Sequence, residues 1–264
     1  MKLVEHIPFQ ELRRVAFISP HPDDVELCCG ILIRRFIHSN IEVHYFCVTD
    51  GAPSQEILSA IRRMPIGWLP DHYDRITYKS TRREETIKAL DILGVDLHHI
   101  KFLDYPDLGT LNHIQSIVQD FSTILKSVDA VFCCPFEGGH PDHDICRFAL
   151  AVAVNLLSYS GSVFEYASYS SRGYQVFLSA FPTPFTIIAD TDEELIQQRV
   201  AQVFISQKEE ARLFKTNMEC FRGGNIIFTS DDYLAYDGAP HYEQFAFPGS
   251  YVLKKIQEYL ELYH

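Results

Sequence analysis

The sequence predicts a doubly wound α/β fold with a mostly parallel sheet and helices on both faces, and three observations carry that expectation. Short apolar, β-branched runs alternate with segments of helical periodicity along most of the chain. Two of those runs are followed by a segment that carries His-Pro-Asp, the place where open parallel sheets present their ligand-binding groups. Hydrophobic residues make up 47% and charged residues 22% of 264 positions, enough apolar material to bury a large sheet between helices.

The elements follow in order. Residues 14–19 (RVAFIS) are apolar on both faces and read as a buried parallel strand ending at Pro20. Residues 24–39 carry apolar side chains at helical spacing, with Asp24 as N-cap or first-turn carboxylate. Residues 41–49 (IEVHYFCVT) form a second strand. Residues 50–80 read as a long excursion with a short helix near 55–63. Thr81 to Leu93 is the clearest helix: Ile87, Leu90 and Leu93 share a face, Glu84 and Lys88 are spaced to pair, and Gly94 sits at the C-terminal cap. A strand over 98–103, a helix over 111–126, a strand over 130–134 and a helix over 147–157 continue the alternation. The last third offers strands at 162–167 and 185–188, then a long helix over 191–214. No repeat or linker interrupts the chain, so one domain over residues 1–264 is expected.

Charge and cysteine usage narrow the function. Lys and Arg number 23 against 35 Asp and Glu, a net charge of -12, which argues against nucleic-acid or anionic-membrane partners. No apolar run approaches the ~20 residues of a membrane span, and residues 1–14 lack the apolar stretch of a signal peptide. Seven cysteines, including the adjacent pairs Cys28-Cys29 and Cys133-Cys134, read as reduced, buried thiols of a cytoplasmic protein.

The chemistry lies in two segments. Pro20-His21-Pro22-Asp23-Asp24 follows the first strand, and Gly139-His140-Pro141-Asp142-His143 follows the fourth. Prolines stiffen both turns. His21 and Asp24, three apart at a turn entering a helix, can face one ion, and His143 completes a set of two imidazoles and one carboxylate. Three protein ligands leave room for water, as in catalytic zinc sites, where the pKa of water falls to about 7. Asp23 is the neighbouring base, and His140 can stabilise or protonate what forms when water adds to a carbonyl.

PHPDDVE before a helix, with GHPDHD far downstream, resembles the LmbE-like, or PIG-L, family of zinc-dependent de-N-acetylases. Here Val25 precedes Glu26, where the family pattern has the acidic residue directly after the two aspartates. Smaller blocks add to the likeness: Thr81–Glu85 leading to Leu93-Gly94-Val95, Leu103–Gly109, Ser206-Gln207 and Glu243–Phe245. The resemblance spans residues 13–247 in scattered blocks. It implies a Rossmann-like fold and removal of acetyl groups from N-acetylglucosamine-type sugars or glycoconjugates. It also implies His21, Asp24 and His143 as ligands of Zn2+, with Fe2+ permitted by the same set. Asp23 would be the base and His140 would act on the tetrahedral intermediate or leaving amine. Asp142 would orient His140, and Arg82 and Asp107 would hold substrate hydroxyl or phosphate-like groups. Homo-oligomers are consistent with such a family.

Blander readings stand beside these. Asp24 can cap a helix, Arg82 can pair with an acidic neighbour on its own helix, Asp107 can make an Asx-turn, and Glu137 reads as a surface glutamate. The same site could hydrolyse another amide or an ester, and two histidines with one carboxylate also suit ferrous redox enzymes. A non-catalytic nucleotide-binding module is disfavoured by the lack of a Gly-x-Gly-x-x-Gly or Walker sequence.

Overall fold

The computed structural model describes residues 11–55, 57, 73–178, 183–223, 240–245 and 248–263. Seven strands form its main sheet: β1 (Arg14–Ser19), β2 (Glu42–Pro53), β3 (Ile100–Asp107), β4 (Ala130–Cys133), β5 (Ser162–Tyr166), β8 (Phe185–Ile188) and β9 (Met218–Gly223). Their spatial order is β3-β2-β1-β4-β5-β9-β8. The pairings among β1 to β5 are parallel, and β9 and β8 extend the sheet antiparallel. Two-residue strands β6 (Tyr169–Ser170) and β7 (Gly173–Tyr174) make a separate hairpin.

The helices are α1 (Asp24–His38), α2 (Arg75–Leu93), α3 (Ile114–Leu125), α4 (Pro141–Leu157), α5 (Thr191–Ala201), α6 (Lys208–Ala211) and α7 (Gly249–Tyr263). α1 packs with α2 and α5, and α4 with α3 and α7. These are the two groups that right-handed crossovers deliver to opposite faces when strand order reverses at β1. Phe17, Phe132 and Phe164 stack across β1, β4 and β5 at centroid spacings of 4.6 and 4.8 Å, and Phe36 of α1 tilts onto Phe17 at 6.2 Å.

Several expected boundaries move, each for a local reason. α2 starts at Arg75 because the Asp74 side chain caps it, accepting the Thr77 N–H at 2.9 Å. Glu84 accepts from Ser80 Oγ at 3.1 Å, and no Glu84–Lys88 ion pair forms among the described residues. The strand expected from residue 98 begins at Ile100, since Leu97–His99 is a 3-10 turn capped by Asp96, and it runs on to Asp107. α4 begins six residues before the expected Arg147, with Pro141 at its first turn and His140 as N-cap. The long helix expected over 191–214 breaks after Ala201, where Phe204 is buried and Ser206 donates its N–H and hydroxyl to Glu85. The helix expected near 55–63 lies outside the described residues. Strand β9 escaped sequence reading because Glu219 and Arg222 interrupt its apolar pattern, yet both are buried.

Glu219 has a partner in α1, accepting the N–H groups of Ile31 and Leu32 at 2.6 and 3.0 Å. Gln197 of α5 donates Nε2 to the Glu26 carbonyl at 2.7 Å. Gly30 leaves room for the Gln197 amide at this crossing, since a Cβ there would stand 2.1 Å from Gln197 Oε1 and push that side chain aside. All seven cysteines are free, six of them buried. Burial raises the pKa of Cys28 and Cys29, so they behave as small apolar side chains.

Candidate active site

The carboxyl ends of β1 and β4 are adjacent in the sheet, paired through Phe17 and Phe132. They flank the point where strand order reverses, so the two His-Pro-Asp turns, 122 residues apart at His21 and His143, meet there. The first turn is held by the Ser19 hydroxyl, which donates to the His21 carbonyl at 2.6 Å and accepts from the Val25 N–H at 3.2 Å. The second is held by Asp144, which accepts from the Gly138 N–H and the Tyr242 hydroxyl, both at 3.0 Å.

Three atoms converge between the turns. Asp24 Oδ2 lies 3.1 Å from His21 Nδ1 and 3.0 Å from His143 Nε2, and the two ring nitrogens are 3.2 Å apart. All three residues are buried. Ligand atoms on a tetrahedral zinc at 2.0–2.1 Å stand about 3.3 Å from one another, so this triangle has the edge length of such a face. Two imidazole nitrogens and a carboxylate oxygen this close together suit a divalent transition metal. The surrounding charge agrees: Asp23, Asp24, Asp107 and Asp142 are all buried here, against one arginine, Arg82.

Around that triangle each expected residue has a definite place. Asp142, fully buried, lies 3.1 Å from His21 Nε2 and accepts from the Leu108 N–H at 2.7 Å and the Thr110 hydroxyl at 2.5 Å. The carboxylate thus fixes the far side of the His21 ring and leaves Nδ1 free to ligate. Asp142 meets His140, which it was expected to orient, through its backbone: His140 Nδ1 accepts the Asp142 N–H at 3.2 Å and lies 3.8 Å from Asp142 Oδ2. Asp107, at the end of β3 rather than in a loop beyond it, places Oδ1 3.3 Å from His21 Nε2. Burial opposes charge on His21, but Asp107, Asp142 and Asp24 together outweigh it and raise its pKa.

Asp23 occupies the N-cap position of α1 with φ 125° and ψ -30°, and its side chain makes no cap. It pairs with Arg82 at 3.1 Å, so Arg82 reaches across to the first motif instead of pairing along its own helix. Desolvation raises Asp23 to a pKa of about 7, against the opposing pull of Arg82. Burial, reinforced by the charge of His21, lowers His140 well below its ordinary value. With Nδ1 accepting a backbone N–H, the hydrogen-bond network assigns the His140 proton to Nε2.

The cleft encloses about 230 Å³. Beyond the residues already named, Tyr169, Tyr174, Gln207, Glu210, Phe214 and His241 line it. Tyr169 packs 4.9 Å from the His143 ring, and Tyr174 donates to Glu210 at 2.6 Å. Glu210 and His241 were not singled out in the sequence, since neither belongs to a motif. Glu137 is no surface glutamate: it pairs with Arg222 at 2.8 Å and accepts from the Leu178 N–H.

Residues 16–154, more than half of the chain, match the family described as PIG-L, GlcNAc-PI de-N-acetylase. The chain belongs to this family. Among curated relatives, a diacetylchitobiose deacetylase of Thermococcus kodakarensis is 27% identical over 160 residues, 58% of this chain and 52% of that protein. A Bacillus cereus protein named "Probable N-acetyl-alpha-D-glucosaminyl L-malate deacetylase 2" is 26% identical over 149 residues, 54% of this chain and 61% of its own. The alignments therefore span little more than half of each relative's length. The structure is similar to N,N'-diacetylchitobiose deacetylase from Pyrococcus horikoshii, with a TM-score of 0.59 and 21% identity over 84% of this chain and 87% of that one. Among the described residues, no helix is long and apolar enough to cross a membrane.

Proposed function

We propose that this PIG-L member is a metal-dependent amide hydrolase that removes an N-acetyl group from an N-acetylglucosamine-type sugar or glycoconjugate. The products are acetate and a free amine. The observation that carries the reading is the triangle of His21 Nδ1, Asp24 Oδ2 and His143 Nε2 with Asp23 beside it. The diacetylchitobiose and the N-acetyl-alpha-D-glucosaminyl L-malate in the relatives' names support the choice of substrate class.

His21, Asp24 and His143 would hold zinc, or ferrous iron in the same set. When bound, the metal acidifies water and polarises the acetyl carbonyl. Asp142 and Asp107 keep His21 in the tautomer that ligates. Asp23 accepts the proton of the attacking water as its oxygen bonds to the acetyl carbon. Arg82 holds that carboxylate in place from the other side. His140, neutral and carrying its proton on Nε2, donates to the oxygen on which negative charge develops. The C–N bond then breaks, and the proton held by Asp23 passes to the departing nitrogen. The aromatic wall of Tyr169, Tyr174 and Phe214 would meet the apolar face of a pyranose, while Arg82 and Asp107 would bind hydroxyl groups.

The test is a panel of N-acetylglucosaminyl compounds beside simple acetamides and acetate esters, scored for acetate and free amine. Turnover confined to the amino sugars is expected. Turnover confined to esters or non-sugar amides would replace this substrate class with another.

A further inference from the structure

We propose that Glu42, His44 and His99 form a second site for a divalent transition-metal ion, at the amino end of the sheet and separate from the cleft. Glu42 pairs with Arg14, His44 with Ala16 and Cys47 with Ser19, so the cluster lies three to five residues, roughly 10–17 Å, below the level at which the His21 turn begins.

The backbone assembles the donors without help from a loop. Glu42 and His44 are two apart on β2 and project from one face. Tyr45 is paired with Ile100 on β3, which sets His99 beside His44. His99 closes the 3-10 turn before β3, its N–H bonded to the Asp96 carbonyl at 2.8 Å. His44 Nε2 lies 2.5 Å from Glu42 Oε1, and His99 Nε2 lies 3.9 Å from the same oxygen. All three donor atoms fall within 4.8 Å of one another.

Packing restrains the rings. The His44 and His99 imidazoles stack at 4.4 Å with an interplanar angle of 26°, and His44 also stacks with Phe46 at 6.5 Å. The side chains are 22% and 28% exposed, open to an arriving ion along one edge but held along their faces. One divalent cation serves both imidazoles and the carboxylate together. Two nitrogens and one oxygen select zinc, copper or nickel over calcium or magnesium. Water would complete the shell on the exposed side.

The experiment uses untagged full-length protein, stripped by chelator and dialysed to equilibrium against Zn2+. Metal and protein are then counted for wild type and for the His44→Ala/His99→Ala double variant. Loss of one equivalent per chain in the double variant is expected, with acetate release unchanged. Glu42→Gln, which keeps the packing, should weaken the same equivalent. Added Ni2+ should broaden the His44 and His99 ring proton resonances at stoichiometric dose. Equal metal content in wild type and double variant, or no broadening of those two rings, would overturn the proposal. Because the readout is a difference of one equivalent, it stands apart from whether the cleft itself holds metal or hydrolyses amides.

Discussion

Asp23 holds a positive φ of 125°, a backbone state that costs an L residue ~1–3 kcal/mol and persists where surrounding contacts enforce it. The enforcing contacts are Arg82, bonded to both the Pro22 carbonyl and the Asp23 carboxylate, and the His-Pro turn itself. The strain turns the carboxylate away from capping α1 and into the cleft. Asp23→Asn keeps that geometry and removes the base, so kcat for acetate release should fall by about 10²–10⁴-fold with metal content unchanged. Steady-state kinetics paired with metal analysis tests this, and wild-type turnover in the variant would exclude Asp23 as base. Asp142→Asn should act through His21: zinc affinity should drop about 10–100-fold, measured by competition with a chromophoric chelator. The residues around the triangle were legible because two His-Pro-Asp turns in one chain are an unusual coincidence. Asp142 was legible as a member of the site but not for its partner, since only the α4 N-terminus, with His140 as cap, turns its carboxylate toward His21. Glu210 and His241 were not legible, because common surface residue types enter the cleft only through the tertiary path of the last third.

At the scale of elements, the parallel strands and the antiparallel edge strand β8 could be read directly from their apolar runs, and β9 could not. β9 carries Glu219 and Arg222 inward, where each finds buried partners supplied by other elements. That arrangement has a consequence for pH. Burial raises the Glu219 pKa to about 8, above the ordinary carboxylate value it regains on unfolding. The unfolded chain therefore releases this proton at lower pH than the folded chain, and Glu219 lowers stability progressively as pH rises from about 4.5 to about 8. Urea unfolding of Glu219→Gln should show a shallower decline across this window, by up to a few kcal/mol. A decline as steep as wild type would mean Glu219 does not carry it. The second motif depends equally on backbone approach: a Cβ on Gly139 would stand 2.2 Å from the Tyr169 carbonyl oxygen. Gly139→Ala should cost ~1–3 kcal/mol in unfolding free energy, because backbone must move to admit the methyl group. It should also impair turnover, since His140 follows directly. A Tm and kcat both at wild-type values would contradict that close packing.

For the whole molecule, strand order brings distant segments to one point, and the charge gathered there sets its behaviour. Four buried carboxylates converge there against Arg82 and a His21 whose pKa they raise, so negative charge is in excess in the folded chain without a divalent cation. Metal that binds only the folded state stabilises it by ~2.7 kcal/mol at a free concentration 100-fold above Kd. Chelation should therefore lower the Tm, and added zinc should restore it; a Tm indifferent to chelator would argue against ligation in the cleft. The net charge of -12 bears on this only as background, since the carboxylates that matter are the buried ones.

The most direct test combines metal and chemistry in one preparation. Purified protein is assayed for acetate release from N-acetylglucosaminyl compounds as isolated, after chelation, and after return of zinc. Release should disappear on chelation and return with about one equivalent of zinc at the His21–Asp24–His143 triangle. Release that survives complete removal of metal, or fully metal-loaded protein that frees no acetate from any of these compounds, would contradict it.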